Sequence, residues 1–441
     1  MRIRRSRRAA GAAAVALAVT AAVLAGCGRG GGAAGAGTGE LKLAGAPVLT
    51  STDQQRTATA GADQVFGLDL YRALAATHGD NNLVLSPSGL TTLLALVLPG
   101  ARGSTAQELT AALHTELTPE QYAAATGELD RGARTGLDGK AALEQSDTLW
   151  AQQGLPVQQD YLAVLAGAFD AGVRTTDFAK DPEGARKAVN ALVEQQTHGQ
   201  VKDLFGPGAV QPSTLLALTD ALYLKADWAQ PFKPAQTGPR EFHTLAGRTE
   251  QPPTMAQEGR LRYAAGSGGI TGQPWQAVEL PYASGHLAMD LLVPAQGGFD
   301  AFRRGLDQAQ LQRITAGLAD TEVDLTLPKF AFETDSNLND PLVQLGMRTA
   351  FTPSADLTGI AGHDAPWRVR LTTVVQKARI TVDEQGTVAA AGSGAVAGVS
   401  AAAPAATRTE LHIDRPFLFL IRDTGTGLPL FLGQVTDPAA G

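Results

Sequence analysis

The sequence contains very little cysteine and few aromatic residues. A single cysteine among 441 residues excludes a disulfide framework, a four-cysteine zinc site and a paired-cysteine redox motif. Aspartate and glutamate (43) outnumber lysine and arginine (36), and the formal net charge is −7. Because nucleic-acid binding needs a dense cationic surface, this balance argues against a nucleic-acid partner.

Motifs that carry catalysis are also missing. The sequence has no Gly-x-Ser-x-Gly, Ser-x-x-Lys, His-Glu-x-x-His or phosphate-binding Gly-x-x-x-x-Gly-Lys motif. Its seven histidines are scattered without ligand spacing. Gly392 to Ala397 matches a relaxed dinucleotide fingerprint, but no helical pattern follows it, so we interpret the match as chance. We therefore expect no enzymatic activity, no metal and no cofactor.

The N-terminus has the pattern of an export signal. Arginines dominate the first eight residues, and an apolar run follows from Ala9 to Ala25. The only cysteine, Cys27, comes directly after Leu-Ala-Gly, which resembles a bacterial lipoprotein signal. We predict that residues 1–26 are a signal peptide and that Cys27 carries the lipid. A plain signal peptide with an unmodified cysteine and a short transmembrane anchor are the alternatives.

The segment after the cysteine is rich in Gly, Ala and Thr, so we expect residues 27–60 to form a flexible tether. The protein would then lie outside the cytoplasm, anchored to the cell membrane by acyl chains or secreted.

Residues 61–438 contain no further low-complexity linker and no internal repeat, which favours one large domain. Helical patterns come early and strand-like patterns come late, an order that predicts an α+β fold. The clearest helices are Asp63 to Ala76, Pro119 to Leu129 and Pro182 to Gln196, and the clearest strands are Leu215 to Leu224, Phe417 to Arg422 and Leu430 to Val435.

The most informative segment lies near the C-terminus. From residue 387 to residue 411, fifteen of 25 residues are Ala, Gly or Ser, and no charge occurs before Arg408. Small uncharged side chains fit either face of a sheet without burying a charge, so such a segment could be inserted between two strands. A low-complexity loop without a function is the alternative.

Several motifs in order along the domain together resemble the serpin family. They include Asn82-Leu-Val-Leu-Ser-Pro-Ser88, Leu218-Thr-Asp-Ala-Leu-Tyr-Leu-Lys-Ala-Asp-Trp228, Leu325-Thr-Leu-Pro-Lys-Phe330, Asp383-Glu-Gln-Gly-Thr387 before the alanine-rich run, and Pro429-Leu-Phe-Leu-Gly-Gln-Val435.

This resemblance implies a serpin fold with three β-sheets, about nine helices and an exposed reactive-centre loop at about residues 385–411. Serpins inhibit serine proteases: the protease cleaves the loop, stays bound as an acyl-enzyme, and is distorted when the cleaved loop enters the main sheet. The implied hinge of the loop is Glu384, Gly386, Thr387, Ala389, Ala390, Ala391 and Gly392. The implied sheet-opening region is Ser86, Asp220, Trp228 and Gln376.

Four positions depart from the pattern of inhibitory serpins. Val388 stands where Glu is common, and Gly89 stands where the family has a second serine. Asp220 and Gln376 replace the usual Asn and His. A carboxylate with an amide is a complementary hydrogen-bonding pair, and we expect it to alter how readily the sheet opens.

The position of the scissile bond depends on the direction of counting. Counting forward from Glu384 gives Val399, Ser400 or Ala401, whereas counting back from Pro416 gives Ala405. All of these residues are small, which favours an elastase-like or subtilisin-like protease over a trypsin-like one.

The leading hypothesis is therefore a monomeric suicide inhibitor that forms a covalent complex with a serine protease. The alternative is a non-inhibitory serpin that acts as a surface binding module.

Overall fold

The computed structural model describes residues 37–137, 141–267, 272–387 and 408–440. Ten α-helices form in these ranges, and the resemblance had implied about nine. They are α1 (Asp53–His78), α2 (Pro87–Val97), α3 (Gly103–Ala112), α4 (Pro119–Arg134), α5 (Gln159–Phe169), α6 (Pro182–Gln196), α7 (Phe299–Gly305), α8 (Gln308–Gly317), α9 (Asn339–Gln344) and α10 (Thr358–Ala361).

The same ranges contain eighteen strands in three sheets, so the α+β class and the three expected sheets are confirmed. The strands are β1 (Gly39–Leu41), β2 (Leu83–Leu85), β3 (Ala141–Gln152), β4 (Val173–Thr176), β5 (Leu216–Asp227), β6 (Gly238–Pro239), β7 (Phe242–His243), β8 (Thr249–Glu250), β9 (Pro253–Gly266), β10 (Trp275–Pro281), β11 (Leu287–Pro294), β12 (Ala319–Pro328), β13 (Phe330–Asn337), β14 (Leu371–Val382), β15 (Gly386–Thr387), β16 (Thr409–His412), β17 (Phe417–Asp423) and β18 (Pro429–Val435).

Local sequence explains where the helices begin. The Thr52 hydroxyl accepts from the Gln55 backbone N–H while the Gln55 side chain accepts from Thr52, which is a capping box that starts α1. Asp181 caps α6, and Pro182 occupies the first turn, where its missing N–H costs nothing. Ser86 caps α2 in the same way, through Gly89.

The sheet that carries the site has the order β1-β4-β3-β5-β15-β14-β13, and we call it the main sheet. A nine-stranded sheet has the order β16-β12-β9-β10-β11-β17-β18-β2, with β6 added beside β9. Strands β7 and β8 form the third sheet. Phe330 and Phe332 of the main sheet pack against Phe417 and Phe419 of the nine-stranded sheet, so the aromatic core joins the two sheets.

The N-terminal boundary corrects one expectation. Residues 27–60 were expected to form a flexible tether, but Gly39–Leu41 pairs with β4 and α1 begins at Asp53. The Glu40 carboxylate also lies 3.3 Å from Arg174, and the Leu49 N–H donates to the Gly167 carbonyl at 2.9 Å. The stretch from residue 37 to residue 60 therefore belongs to the folded domain.

Within the described ranges, every helix is too short or too polar to cross a bilayer. The predicted signal peptide and Cys27 lie outside these ranges.

Candidate functional site: a seam in the main sheet

The main sheet has a discontinuity at its centre, where β5 and β14 pair directly. They run parallel, with Leu216 beside Leu371 at one end and Tyr223 beside Arg379 at the other. On their other sides, β5 pairs antiparallel with β3 and β14 pairs antiparallel with β13. The line of parallel pairing between β5 and β14 is therefore the place where a further strand can be added. We call it the seam.

One end of the seam is already open. There β15 lies between the two strands and pairs antiparallel with both, since Thr387 faces Ala226 of β5 and Val382 of β14. The hinge segment, residues 383–387, thus carries the chain from the end of β14 back into its own sheet. Residues 388–407 connect Thr387 in the main sheet to the start of β16 in the nine-stranded sheet.

Gly386 is required by a close backbone approach. A Cβ atom at this position would lie 2.0 Å from the Ala226 carbonyl oxygen, well inside van der Waals contact. The chain can therefore turn into the seam here only without a side chain.

Trp228 contacts the hinge segment at this end of the seam. Its indole N–H donates to the Asp383 carbonyl at 3.0 Å, and its backbone N–H donates to the Gln385 carbonyl at 2.7 Å. The indole stacks on Tyr282 with ring centroids 4.6 Å apart. The hydroxyls of Tyr282 and Thr387 are 2.6 Å apart and both residues are buried, so a hydrogen bond fixes Thr387 in the seam.

Glu384 is held by a cation from the neighbouring edge. The Lys329 ammonium lies 2.7 Å from the Glu384 carboxylate, and the Glu384 carbonyl accepts from the Phe232 N–H at 2.8 Å. Partial burial raises the pKa of Glu384, but the hydrogen bond from Lys329 lowers it, and the pKa lies below its usual value. The predicted anchoring role of Glu384 has this ion pair as its physical basis.

At the middle of the seam, the other predicted residues meet under the N-terminus of α2. The Gln376 amide donates to the Asp220 carboxylate at 2.5 Å and to the Ser86 carbonyl at 2.8 Å. Its oxygen accepts from the Ser86 N–H at 3.0 Å. Asp220 is on β5 and Gln376 is on β14, so this link must break when the seam parts.

Gly89 provides the space for Asp220. A Cβ at position 89 would lie 2.3 Å from Oδ2 of Asp220. The absence of a side chain at position 89 of α2 thus leaves room for the Asp220 carboxylate from β5.

Several predicted site residues fall outside the described ranges. They are Val388, Ala389, Ala390, Ala391, Gly392, Val399, Ser400, Ala401 and Ala405.

Sequence reasoning missed three residues of the site. Lys329 stands in the motif Leu325 to Phe330, and Tyr282 ends the segment Val278-Glu-Leu-Pro-Tyr282, which also resembles the family. Nothing local to either residue indicates a contact with the hinge. The third residue, Asp147, lies on β3 beside Asp220 of β5. The sequence did not indicate its position because β3 mixes polar and apolar residues without alternation.

Comparisons with known proteins agree with this architecture. The family model for serpins (serine protease inhibitors) matches residues 61–438. The chain is 32% identical over 378 residues to an uncharacterised serpin-like protein of Thermococcus kodakarensis, covering 85% of each chain. It is 31% identical over 376 residues to plasminogen activator inhibitor 1 of Neovison vison, covering 85% of this chain and 91% of the relative.

Among solved structures, Serpin48 of the insect Tenebrio molitor superposes with a TM-score of 0.73 at 27% identity, covering 87% of this chain and 98% of that one. The chain belongs to the serpin family.

Proposed function

We propose that this protein inhibits serine proteases of the elastase-like or subtilisin-like type by cleavage of its loop and insertion of the cleaved segment into the seam. The observation that carries the proposal is the seam itself, with β5 paired directly to β14 and, among the described residues, Gly386 and Thr387 placed between them at one end. The export signal predicted from the sequence supports a location of this inhibitor outside the cytoplasm.

Insertion is favourable in this geometry because of the change in pairing. A strand that continues β15 runs antiparallel to both neighbours, so one parallel ladder is replaced by two antiparallel ladders. Roughly a dozen added hydrogen bonds, each with a net value of about 0.5–1.5 kcal/mol, supply about 10 kcal/mol. That is comparable with the whole stability of a small domain and is enough to distort a trapped protease.

The inserting segment has a suitable composition. No residue from Thr387 to Thr407 carries a charge, so no ionic group must be desolvated as the segment enters the sheet. The small residues at all candidate scissile bonds favour a protease with a shallow specificity pocket.

The test is a titration of the protein against subtilisin and pancreatic elastase, followed by denaturing electrophoresis. We expect a complex that survives SDS and a loss of protease activity. Thr387→Arg should abolish the complex but leave cleavage intact, because Thr387 is 1% exposed and an arginine there would bring a charge into the seam.

Thr409→Arg is the matched control, since Thr409 begins β16 on the other side of the loop and does not enter the seam. This variant should inhibit as the unmodified protein does. Trapping would be refuted if subtilisin and elastase both cleave the unmodified protein but neither forms a complex with it or is inhibited. That result would favour the non-inhibitory binding module.

A further inference from the structure

A second carboxylate lies beside Asp220 at the middle of the seam. Asp147 on β3 is the direct register partner of Asp220 on β5, so their side chains share one face of the main sheet. The Oδ1 atoms of both residues are buried, and neither has a hydrogen-bond donor among the described residues. Two unpartnered acceptor oxygens on neighbouring carboxyl groups are satisfied together when one of the groups carries a proton.

This pair belongs to a continuous line of hydrogen bonds across the sheet. On the β3 side, the Arg134 guanidinium donates to the side-chain oxygen Oε1 of Gln145 at 3.0 Å, and the side-chain amide N–H of Gln145 donates to Oδ2 of Asp147. On the β14 side, Gln376 donates to Oδ2 of Asp220. Where the two carboxylates meet, both groups are acceptors, so a proton on one of them supplies the donor that this line otherwise lacks.

The electrostatics support that protonation state. Burial raises the pKa of Asp147 well above its ordinary value, and the nearby charge of Asp220 raises it further. Burial also raises the pKa of Asp220, while its contact with Asp147 and the hydrogen bond from Gln376 act to lower it. At neutral pH the pair therefore holds one proton, and it takes up a second one in mildly acidic solution.

We propose that Asp147 is a positioning residue for strand insertion: it keeps a proton, holds Asp220 as a carboxylate bound to Gln376 across the seam, and releases this link when the pair takes up a second proton. The inference rests on the proposed function, because it concerns how readily the seam opens for the loop.

The direction of the effect follows from the two states of the seam. In the closed seam, the Asp220 carboxylate accepts a charge-assisted bond from Gln376, and such bonds are roughly twice as strong as neutral ones. In the open seam, Gln376 has moved away with β14 and the carboxylate has lost its donor. Opening is therefore coupled to proton uptake, and acid favours opening.

Other charged groups near the carboxyl pair come from α4, β3 and β14. Asp130 and Arg134 on α4 form an ion pair at 2.8 Å, so their effects on the carboxyl pair largely cancel. Glu144 on β3 acts on Arg134. Lys377 on β14 lies 3.0 Å from the Glu333 carboxylate and 3.1 Å from the Asp335 carboxylate, both on β13. The neighbouring groups at the start of α2, Ser86 and Gly89, are neutral.

The experiment measures insertion of a rhodamine-labelled synthetic peptide with the sequence of residues 387–400 into the full-length protein, followed by fluorescence anisotropy. We expect the insertion rate to increase about five-fold between pH 8 and pH 5, as a charged hydrogen bond becomes a neutral one.

Two isosteric variants separate this mechanism from general acid destabilisation. Asp220→Asn is neutral at all pH values, so its rate should be fast and independent of pH. Asp147→Asn supplies a permanent N–H donor to Asp220, so the acceleration should shift to lower pH. Both amides can satisfy the same partners as the acids they replace.

Asp63→Asn is the control, because Asp63 is another fully buried acid but lies between α1 and α4. Its insertion rate should keep the pH dependence of the unmodified protein. If the peptide inserts but Asp220→Asn retains that dependence, or Asp147→Asn leaves the midpoint in place, the role of the pair is refuted and the inhibitor function stands. If the peptide inserts at no pH, strand insertion itself is refuted.

Discussion

A single buried carboxyl group, that of Asp63, makes the stability of the fold depend on pH. Asp63 on α1 is 1% exposed and accepts a hydrogen bond from the Tyr122 hydroxyl at 3.3 Å, and its Oδ2 atom has no partner within the part of the chain that the structure describes. Burial raises its pKa from 3.8 to about 7. The folded protein therefore binds a proton here that the unfolded chain releases between about pH 4 and pH 7, so this site loses its stabilising contribution as the pH rises through that window.

Replacing Asp63 with asparagine should remove this pH dependence. The variant should be more stable than the unmodified protein at pH 8, by about 2–4 kcal/mol, and should show little gain at pH 4. Urea unfolding at a series of pH values measures the difference. An equal change in the free energy of unfolding at both pH values would contradict the argument, because a merely improved side-chain contact would act at all pH values.

At the scale of elements, the sequence predicted some parts of the fold and missed others for identifiable reasons. Helix α6 was predicted with its observed bounds, because Asp181 and Pro182 mark its start. Helix α1 begins ten residues before the predicted Asp63, since its first turns lack an apolar stripe. Strand β3 was not predicted at all, because Glu144, Gln145 and Asp147 are poor strand formers that tertiary contacts hold in the sheet.

The same limit applies to the candidate site. Motifs identified Trp228, Glu384 and Thr387, and the structure brings them together at the end of the seam. The partners that fix them, Tyr282 and Lys329, are supplied by distant segments. Such pairings depend on sheet register, which a single sequence does not define.

The pairing of β5 with β14 provides an element-scale test, because a covalent link across the seam should prevent insertion. Leu222 and Ala378 are buried register neighbours on the two strands, so cysteines at both positions fall within reach of a disulfide. In a Cys27→Ser background, the oxidised variant should be cleaved by subtilisin without forming a complex that survives SDS.

Reduction of that disulfide serves as the internal control and should restore the complex. Complex formation that is equal before and after reduction would show that the seam does not need to open during trapping.

At the scale of the whole molecule, the proposed mechanism requires that the intact fold is less stable than the cleaved one. Limited proteolysis within residues 388–407 should therefore raise the melting temperature, by about 10–20 °C for a gain of about 10 kcal/mol in a domain of this size. Differential scanning calorimetry of intact and nicked protein measures this change. An unchanged melting temperature after a mapped cut would contradict the stored-energy mechanism and favour a binding module.

The strand at the N-terminal edge of the main sheet has a practical consequence. The family match begins at residue 61, yet a recombinant chain started there would cut α1 about two turns after its beginning and remove Gly39–Leu41. The N–H and C=O groups of β4 that now bind this strand would then be exposed along an open edge, which is a template for pairing with a second molecule. A shortened form intended for biophysical work should start before residue 37, so that self-association at this artificial edge is not mistaken for a property of the natural protein.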